Sequence, residues 1–538
     1  MRITIAQSNF CVGDIKNNTK TIVDCIETAK QLGSDLIAFP ELAITGYPPE
    51  DLLLRRALYN QVDEALLTIK SVSNDISILI GYPYQSSQSL YNSCSLIENN
   101  EIQASYHKQN LPNYGVFDEK RYFTAGDSAR LINVNGIALG LSICEDIWSS
   151  GPAKQVADAG AKLLININAS PFHSSKPAER EKILRQRVEE TGLNIIYLNL
   201  VGGQDELVFD GGSMIVDEHG EVIFRASQFD EELYTFDIEE KNKELVFSTS
   251  TPGTAKLDYL PAVYSALVLG VKDYVGKNGF KGAVIGLSGG IDSALTLAIA
   301  SDALGPENVE ILIMPSRYTA DMSTNDAVEM ANKLQVKYSI LPIEKPFQAF
   351  TELLAPVFEG LPADATEENL QARSRGVLMM ALSNKTGKLV LTTGNKSEMS
   401  VGYATLYGDM AGGFAPLKDL SKTLTYELSE WRNTQTEIIP RRIIDRPPTA
   451  ELRADQKDED SLPPYSILDP ILERYIELDQ SPEEIVRAGF DKETVYEIVR
   501  MVDRNEYKRR QAAPGVRITK RAFGRDRRYP ITSRYRES

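Results

Sequence analysis

The chain has little cysteine, histidine or tryptophan for its length. Its 538 residues include four cysteines, three histidines and two tryptophans. Cysteine this sparse predicts no disulfide framework and favours a reducing compartment, the cytoplasm. The histidines, His107, His173 and His219, are too few for a histidine-rich zinc site. They also leave little material for a serine–histidine or cysteine–histidine catalytic pair.

Long apolar runs and an excess of basic charge are missing as well. No apolar run approaches the roughly 18 residues that a membrane helix needs, and the first residues are typical of a strand rather than of a signal peptide. The net charge of -17 argues against general nucleic-acid binding. We therefore expect neither a membrane nor a nucleic acid as a partner.

The basic residues concentrate at the C-terminal end of the chain. Residues 504 to 538 hold twelve Lys or Arg against three Asp or Glu, so this tail carries about +9 and the remainder about -26. Such a tail is typical of a solvated segment or a subunit contact. Alternatively, Lys508, Arg509 and Arg510 meet the phosphates of a nucleotide.

The length predicts two domains, because a single core rarely extends over so many residues. A polar stretch with a Pro-Gly break marks a linker at 246–257, between domains at 1–245 and 258–538. Both domains read as α/β. In the first, apolar strands alternate with helices, which favours sheets covered by helices. In the second, strands separated by helices indicate a parallel sheet, whose ligands bind beyond the carboxyl ends of the strands.

A strand, a glycine turn and a helix follow one another at residues 283–299. The turn in Ser288-Gly-Gly-Ile-Asp-Ser293 exposes backbone N–H groups at a helix N-terminus, which is a site for phosphate. Ser288 and Ser293 add hydroxyls, and the Asp292 carboxylate is placed to hold magnesium beside the phosphates. An ordinary strand-to-helix connection gives a similar pattern.

Glu398 is the second acidic candidate in this half. It lies in Thr392-Thr-Gly-Asn-Lys-Ser-Glu398, a loop that follows a buried strand and faces the same sheet edge as Ser288. Magnesium favours carboxylates together with phosphate oxygens, so Glu398 and Asp292 form a candidate pair of ligands. A surface carboxylate is the alternative.

Three polar residues of the first half, Glu41, Lys108 and Cys144, stand at or near strand ends. Each has an ordinary explanation, namely a helix N-cap, a surface lysine and a small core residue. Together they predict acyl transfer. A thiol nucleophile needs a base, and with histidine scarce this base is a carboxylate with a pKa raised by burial. A fixed ammonium would stabilise the oxyanion.

The first half resembles the nitrilase superfamily, whose amidases use a Glu-Lys-Cys triad on a four-layer αββα sandwich. The resemblance is carried by Phe39-Pro-Glu41, Lys108-Gln-Asn-Leu-Pro112 and Cys144-Glu-Asp-Ile-Trp148. It implies that Cys144 attacks a side-chain amide to form a thioester, that Glu41 takes and returns the proton, and that Lys108 stabilises the intermediate. The glutaminase members imply a glutamine site, which here would consist of Tyr114, Ser170, Lys176 and Glu119.

The second half resembles the PP-loop ATP pyrophosphatases, and among them the NAD synthetases, with a Rossmann-like parallel sheet. The supporting strings include Ser288-Gly-Gly-Ile-Asp-Ser293, Glu368-Asn-Leu-Gln-Ala-Arg373 and Thr392-Thr-Gly-Asn-Lys-Ser-Glu398. An acidic stretch from Asp455 to Asp460 resembles that family's mobile loop. The resemblance implies ATP contacts at Gly286, Leu287, Ser288, Gly289, Gly290, Ile291, Asp292, Ser293 and Thr393. It implies deamido-NAD contacts at Asn369, Glu398, Lys508, Asp409 and Lys418, with Arg317 near the adenosine or a phosphate.

Together the two halves resemble the glutamine-dependent NAD synthetases over nearly the whole chain. This implies ATP-dependent amidation of deamido-NAD through an adenylate, Mg²⁺ as the cofactor, held by Asp292 and Glu398, and at least a homodimer. Ammonia released from glutamine would pass between the domains. Two alternatives are another PP-loop amidotransferase, such as one making GMP or asparagine, and a nucleotide-binding regulator with a decayed amidase. The presence of Glu41, Lys108 and Cys144 argues against decay.

Overall fold

In a computed structural model the chain forms two compact units, Met1–Asp258 and Tyr259–Ser538. The structure describes residues 1–242, 244–453, 456–460 and 462–535. Asp455, which begins the acidic stretch compared with a mobile loop, lies outside the described residues. Within the described ranges, no helix is both long enough and apolar enough to cross a membrane.

The first unit contains fifteen strands and four α-helices in the part of it that the structure describes. The strands are β1 Arg2–Gln7, β2 Leu36–Ala38, β3 Ser77–Gln85, β4 Leu90–Glu98, β5 Glu101–His107, β6 Leu131–Val134, β7 Ile137–Ile143, β8 Leu163–Asn168, β9 Asn194–Asn199, β10 Val201–Gln204, β11 Leu207–Asp210, β12 Met214–Val216, β13 Val222–Arg225, β14 Glu232–Lys241 and β15 Glu244–Ser248. The helices are α1 Ile15–Gln31, α2 Arg56–Ser71, α3 Ser150–Asp158 and α4 Lys176–Thr191, with 3₁₀ turns at Glu50–Leu54, Glu119–Arg121 and Cys144–Trp148.

These strands form two large sheets and a small ribbon. The seven-stranded sheet has the order β15-β14-β1-β2-β3-β4-β5, the six-stranded sheet has the order β13-β12-β9-β8-β7-β6, and β10 pairs with β11. One apolar cluster combines Ile3 and Leu79 of the first sheet with Leu141, Ile165 and Ile196 of the second. The two sheets therefore pack face to face, as the apolar sequences of central strands such as β2, β7, β8 and β9 require.

Helices cover the outer face of each sheet. Ile22 of α1 and Val62 of α2 belong to a cluster with Ile78 of β3. Val156 of α3 and Leu184 of α4 lie in another cluster, with strands of the six-stranded sheet. The layers thus run helix, sheet, sheet, helix, which confirms the predicted αββα sandwich.

The predicted linker at 246–257 is wrong at its beginning. Strand β15 includes residues 246–248 and pairs antiparallel with β14. Leu245 is buried, and Phe247 packs against the core between the sheets. Strand β15 lies at the edge of its sheet and alternates polar and apolar residues, so only one of its faces is apolar. Because a Pro-Gly break follows it, the whole polar stretch was interpreted as a linker and this alternation was overlooked.

The second unit contains four strands and twelve α-helices among its described residues. The strands are β16 Ala283–Gly286, β17 Val309–Ile313, β18 Lys337–Ile340 and β19 Leu389–Leu391. The helices are α5 Tyr259–Lys277, α6 Ile291–Leu304, α7 Asp321–Leu334, α8 Glu344–Leu354, α9 Ala365–Thr386, α10 Lys396–Val401, α11 Lys422–Gln435, α12 Arg441–Asp445, α13 Tyr465–Leu472, α14 Pro482–Arg487, α15 Lys492–Arg504 and α16 Glu506–Arg509. There are 3₁₀ turns at Pro306–Asn308 and Asp458–Asp460 and a short π-helix at Glu473–Glu477.

The sheet of this unit is entirely parallel, as predicted, in the order β18-β17-β16-β19. Strands β16 and β19 are neighbours, so the loops that follow them emerge at the same edge. This arrangement brings the glycine turn and the loop before Glu398 together, because the carboxyl ends of parallel strands meet at one side of a sheet.

Part of the C-terminal basic segment, residues 518–521, is held by hydrogen bonds to the side chains of Lys396 and Asp419. Lys396 at the start of α10 donates to Thr519 Oγ1 and to the carbonyl of Arg521, at 2.8 and 3.2 Å. Asp419 accepts from the backbone N–H groups of Ile518 and Thr519, both at 2.7 Å. Residues 518–521 are therefore part of the folded unit, packed beside the helix that carries Glu398.

Candidate active sites

Cys144 lies where strand β7 ends and a 3₁₀ turn begins. Its φ is +43°, in the left-handed region that side chains other than glycine rarely adopt. The side chain is buried among the apolar residues between the two sheets. A strained, sharply turned residue at a strand end is typical of a nucleophile held by its surroundings.

Lys108 lies between two glutamates, and all three side chains are buried. Its Nζ donates to Glu41 Oε1 and to Glu119 Oε1, both at 2.7 Å. Tyr47 also donates its hydroxyl to Glu119 Oε1 at 2.8 Å. Burial alone would lower the pKa of Lys108, but Glu119 and Glu41 raise it well above its ordinary value, so the ammonium stays charged.

Glu41 has partners beyond Lys108. Its Oε1 accepts from Asn92 Nδ2 at 2.7 Å, and its Oε2 accepts from the backbone N–H of Ala169 at 2.9 Å. These bonds hold the carboxylate in one orientation. Because a side chain with fixed hydrogen bonds does not have to reorient before it accepts a proton, this geometry suits a general base.

Electrostatics keep the thiol of Cys144 neutral. Burial raises its pKa well above the ordinary value, Glu41 adds to this, and Lys108 opposes it. Burial also raises the pKa of Glu119 to about 7, against the opposing effect of Lys108. A neutral thiol attacks poorly, so this nucleophile needs a base to take its proton.

The predicted glutamine contacts surround this group. Tyr114 donates its hydroxyl to both oxygens of Glu145, each at 3.0 Å, and is 56% exposed. The Lys176 ammonium lies 3.7 Å from the centre of the Trp148 ring, and burial lowers its pKa to about 8. Tyr114 and Lys176 thus reach Glu145 and Trp148, the second and the last residue of the 3₁₀ turn that begins at Cys144.

A buried arginine, Arg180, binds Ser170. Arg180 donates Nη2 to the carbonyl of Ser170 at 2.7 Å, and its Nη1 to Asp210 Oδ1 at 2.7 Å. Sequence reasoning missed Arg180, which lies on helix α4 one turn after Lys176. An arginine among apolar helix positions is the signal that could have found it, since a buried guanidinium requires partners.

In the second unit the glycine turn is closed by its own hydroxyls. Ser293 Oγ accepts from the N–H of Ser288 at 3.2 Å and donates to the carbonyl of Gly290 at 2.9 Å. Gly289 has φ +80°, and a Cβ there would lie 2.3 Å from the carbonyl oxygen of Ser323. The turn therefore requires glycine at this position, and its N–H groups open the helix α6.

A cavity of about 290 Å³ lies beside this turn. It is lined by Gly286, Leu287, Ser288, Gly290, Ile291, Asp292, Ser293, Thr393, Glu398 and Asp409. A smaller adjoining cavity of about 90 Å³ shares Thr393, Glu398 and Asp409 and adds Lys418. Of the predicted ATP contacts, only Gly289 does not line either of these cavities.

Asp292 and Glu398 converge on one cation, Lys422. The Lys422 Nζ donates to Asp292 Oδ2 at 2.5 Å and to Glu398 Oε1 at 3.2 Å. Burial raises the pKa of Glu398 to about 8, which Lys422 opposes and Asp292 and Asp458 reinforce. Burial would lower the pKa of Lys422, but the two carboxylates raise it.

This convergence fits the expected magnesium ligands. Two carboxylates that already share one ammonium present hard oxygen donors to a single point beside a cavity, which suits a divalent cation. Among the described residues, no group of three or more Asp, Glu, His or Cys side chains forms a complete metal site. A magnesium ion here would thus complete its shell with phosphate and water oxygens.

Sequence reasoning missed Lys422, although a signal was present. It is the first residue of α11, directly after the N-cap Ser421. A lysine at a helix N-terminus opposes the helix dipole, so it requires compensating carboxylates. The lysine's unfavourable position could therefore have indicated its role.

Two arginines beside the cavity were also missed. Arg375 donates Nε to the carbonyl of Met314 at 3.0 Å, and burial lowers its pKa to about 10. Arg446 donates to Ser323 Oγ at 2.7 Å and to the carbonyl of Gly289 at 3.0 Å. Both cations line the cavity beside the turn.

Three of the residues suggested for nucleotide contacts do not line either cavity. Asn369 accepts from Thr405 Oγ1 at 2.8 Å, and Lys508 donates to the carbonyls of Gly402 and Ala404 at 2.8 and 2.9 Å. Arg317 forms an exposed ion pair with Glu344. Asn369 and Lys508 thus support the loop at 402–409, whose Asp409 does line both cavities.

The rest of the basic cluster that was considered for phosphate binding is used internally. Arg509 donates to the carbonyl of Ser400 at 2.7 Å and to Glu506 Oε2 at 2.9 Å. Arg510 also pairs with Glu506. These arginines bind backbone and carboxylate groups of their own unit.

Comparison with known proteins gives the same division of the chain. The carbon-nitrogen hydrolase family matches residues 2–244, and the NAD synthase family matches residues 263–512. The chain is 49% identical over 540 residues to the glutamine-dependent NAD(+) synthetase of Acinetobacter baylyi, with 99% of each chain covered. It is 45% identical over 572 residues to that of Thermotoga maritima, covering 100% of this chain and 99% of the relative.

A solved structure matches the whole chain as well. The glutamine-dependent NAD+ synthetase from Acinetobacter baumannii in complex with adenosine diphosphate gives a TM-score of 0.80 at 45% identity. The match covers 100% of this chain and 99% of that one.

Proposed function

This chain belongs to the family of glutamine-dependent NAD(+) synthetases, and we propose how the two sites described above divide that family's reaction. The enzyme amidates deamido-NAD to NAD with ATP and L-glutamine, through an adenylated intermediate. Glutamate, AMP and pyrophosphate are the other products. The first unit supplies ammonia, and the second unit uses it.

In the first unit, Cys144 attacks the side-chain amide of glutamine. Glu41 takes the thiol proton and returns it to the leaving ammonia, while Lys108 stabilises the oxyanion. Water then releases glutamate from the thioester, with Glu41 again as the base. The raised pKa of Cys144 and the fixed hydrogen bonds of Glu41 support these roles.

The glutamine site uses Tyr114, Ser170 and Lys176. The half-buried ammonium of Lys176 suits the α-carboxylate of glutamine, because an anionic partner would offset the burial that lowers its pKa. Ser170, fixed by Arg180, offers its hydroxyl to a polar atom of the substrate. Glu119 orients Lys108 between the two glutamates.

In the second unit, the turn at 286–293 and Thr393 bind ATP. The backbone N–H groups of the turn face the phosphates, and Arg375 supplies a cation. The nicotinate carboxylate of deamido-NAD attacks the α-phosphate and releases pyrophosphate. Ammonia then attacks the adenylate and releases AMP. The residues assigned to hold deamido-NAD, directly or through the loop that they support, are Asn369, Glu398, Lys508, Asp409 and Lys418.

Asp292 and Glu398 hold Mg²⁺ in this proposal. When bound, magnesium neutralises charge on the phosphates of ATP as pyrophosphate leaves. Lys422 occupies the point between the two carboxylates and is able to move toward a phosphate oxygen when a divalent cation takes its place. Its long, flexible stem suits such a shift.

The observation that carries the proposal is the presence of both groups in one chain, the buried Glu41, Lys108 and Cys144 group and the cavity beside the glycine turn. The test is to incubate the protein with ATP, magnesium, glutamine and deamido-NAD. We expect NAD, AMP, pyrophosphate and glutamate to appear together in equal amounts. ATP cleavage to ADP and phosphate instead would contradict the adenylate route.

We also propose that the protein acts in the cytoplasm as at least a homodimer. The four cysteines are free thiols, which suits a reducing compartment. Leu353, Val357, Leu361 and Val377 on and near helices α8 and α9 are 64 to 75% exposed, and apolar side chains this exposed are candidates for a subunit contact. Sedimentation should give a dimer or larger, and Leu353→Glu should weaken it.

A further inference from the structure

Asp146 lies two residues after the nucleophile and has no part in the reaction assigned above. It is fully buried, in the 3₁₀ turn that begins at Cys144. Its carboxylate accepts four hydrogen bonds, two on each oxygen. Burial raises its pKa to about 6, and the N–H groups of Asn110 and Ile143 oppose this, so it is mostly ionised at neutral pH.

The four donors come from both sides of the catalytic group. Oδ2 accepts from the N–H of Ile143 at 3.0 Å and from the hydroxyl of Tyr106 at 2.8 Å. Oδ1 accepts from the N–H groups of Gln109 and Asn110 at 3.1 and 2.8 Å. One carboxylate thus joins the residue before Cys144 to the two residues after Lys108.

The bond to Ile143 also supports the strained turn. Ile143 is the N-cap of the 3₁₀ turn, and Asp146 is the third residue inside it, so its side chain reaches back to the N-cap N–H. Cys144 lies between them with a positive φ. Without this bond, the turn would relax toward ordinary φ values and the thiol would change direction.

We propose that Asp146 is a positioning residue for glutamine hydrolysis, fixing the separation and orientation of Cys144 and Lys108 through backbone N–H groups on both sides. This inference rests on the function proposed above. It concerns the rate of the chemical step, because none of the four donors belongs to Tyr114, Ser170 or Lys176, the residues assigned to glutamine binding.

The test is Asp146→Asn in the full chain. The amide keeps the size of the side chain but offers one acceptor oxygen in place of two, so two donors lose their partner. We expect kcat for glutamine hydrolysis to fall about 100-fold, with KM for glutamine within about threefold, because a small displacement of reacting groups has such an effect. Alkylation of Cys144 by iodoacetamide, followed by mass spectrometry, should slow as well.

The matched control is Asp210→Asn. Asp210 is also buried in the first unit, but it binds Arg180, which holds Ser170. We expect this variant chiefly to raise KM for glutamine. A merely structural role for Asp146 would make the two variants change kcat and KM alike, and that result, or an unchanged kcat in Asp146→Asn, overturns the proposal.

If the Asp146→Asn variant does not fold, the Tyr106→Phe variant tests the positioning role of Asp146 instead. It removes one of the four donors and leaves the carboxylate in place. A fall in kcat of about threefold at constant KM supports the positioning role, and an unchanged kcat overturns it. NAD synthesis from added ammonium distinguishes failure of the positioning role from failure of the proposed function. If the proposed function is right, every variant of the first unit should keep this ammonium-dependent synthesis.

Discussion

Two buried lysines, one in each unit, lie between pairs of carboxylates, and their surroundings differ. Lys108 between Glu41 and Glu119 is fully enclosed. Lys422 between Asp292 and Glu398 borders a cavity of about 290 Å³. In both groups burial raises the pKa of one glutamate, to about 7 for Glu119 and about 8 for Glu398.

The difference indicates two uses of the same arrangement. Lys108 already has its partners and needs only to stay charged while an oxyanion forms near it. Lys422 has partners that a divalent cation would also choose, so its ion pairs can be exchanged when a charged ligand fills the cavity. The enclosed group around Lys108 can therefore hold the reacting atoms of a covalent step in place, whereas the group around Lys422, which borders the cavity, can rearrange when phosphates bind.

The largest expected effect separates the two units. Cys144→Ala should lower glutamine-driven NAD synthesis by roughly 10³-fold or more, because it removes the nucleophile. Synthesis from added ammonium should stay within about twofold of the parent. Both rates are followed as NAD formed, and an equal fall in both would contradict a division of labour between the units.

The second-largest expected effect comes from a substitution in the group around Lys422. Asp292→Asn should lower synthesis from either nitrogen source by about 10²- to 10³-fold, as expected for the loss of a carboxylate that stabilises charge in the transition state. Release of glutamate by Cys144 should continue. Pyrophosphate release measured at several magnesium concentrations reports the defect, and full synthetase activity would exclude Asp292 as a magnesium ligand.

A smaller effect concerns the cation beside the cavity. Arg375→Met should raise KM for ATP or for deamido-NAD by about 10- to 100-fold, the range of a lost charge-assisted hydrogen bond. Varying each substrate in turn shows which phosphate it meets. Arg317→Met is the control, since Arg317 pairs with Glu344 at the surface, and it should change either KM less than about twofold.

The smallest effect is a pH dependence. Because burial raises the pKa of Glu398 to about 8, a growing fraction of its carboxyl is ionised, and able to bind magnesium, as pH rises toward and through 8. The apparent Kd for Mg²⁺ should fall with rising pH, by up to about tenfold per pH unit below 8. Glu398→Gln should show only the pH dependence of ATP itself. Identical pH profiles in the two proteins would show that Glu398 does not bind the metal.

Several features of the fold and the sites followed from the sequence for a clear physical reason. Glu41 and Cys144 follow the apolar strands β2 and β7, where polar residues are unusual enough to stand out. Lys108 follows the more polar strand β5 and was noticed only in combination with them. The glycine turn was equally visible, since Gly289 occupies a conformation with no room for a Cβ. The parallel sheet followed from the alternation of strands and helices.

Other features depended on contacts that pattern alone does not reveal. Lys422 lies 130 residues from Asp292, and Arg180 reaches Asp210 across 30 residues. The roles of Tyr114, Ser170, Lys176, Asn369 and Lys508 stay predictions. Lys508 is an example of what the sequence does not reveal. The sequence shows that the tail is basic, but only the fold shows that the Lys508 ammonium binds backbone carbonyls.

The segment at 518–521 has a practical consequence for anyone who shortens or extends this chain. The match to the NAD synthase family ends at residue 512, yet Asp419 and Lys396 draw on Ile518, Thr519 and Arg521. A chain cut at 512 would leave two buried charges without these partners, beside the helix that carries Glu398. Tags and truncations are therefore better placed at residues beyond 530 than at the edge of the recognised family.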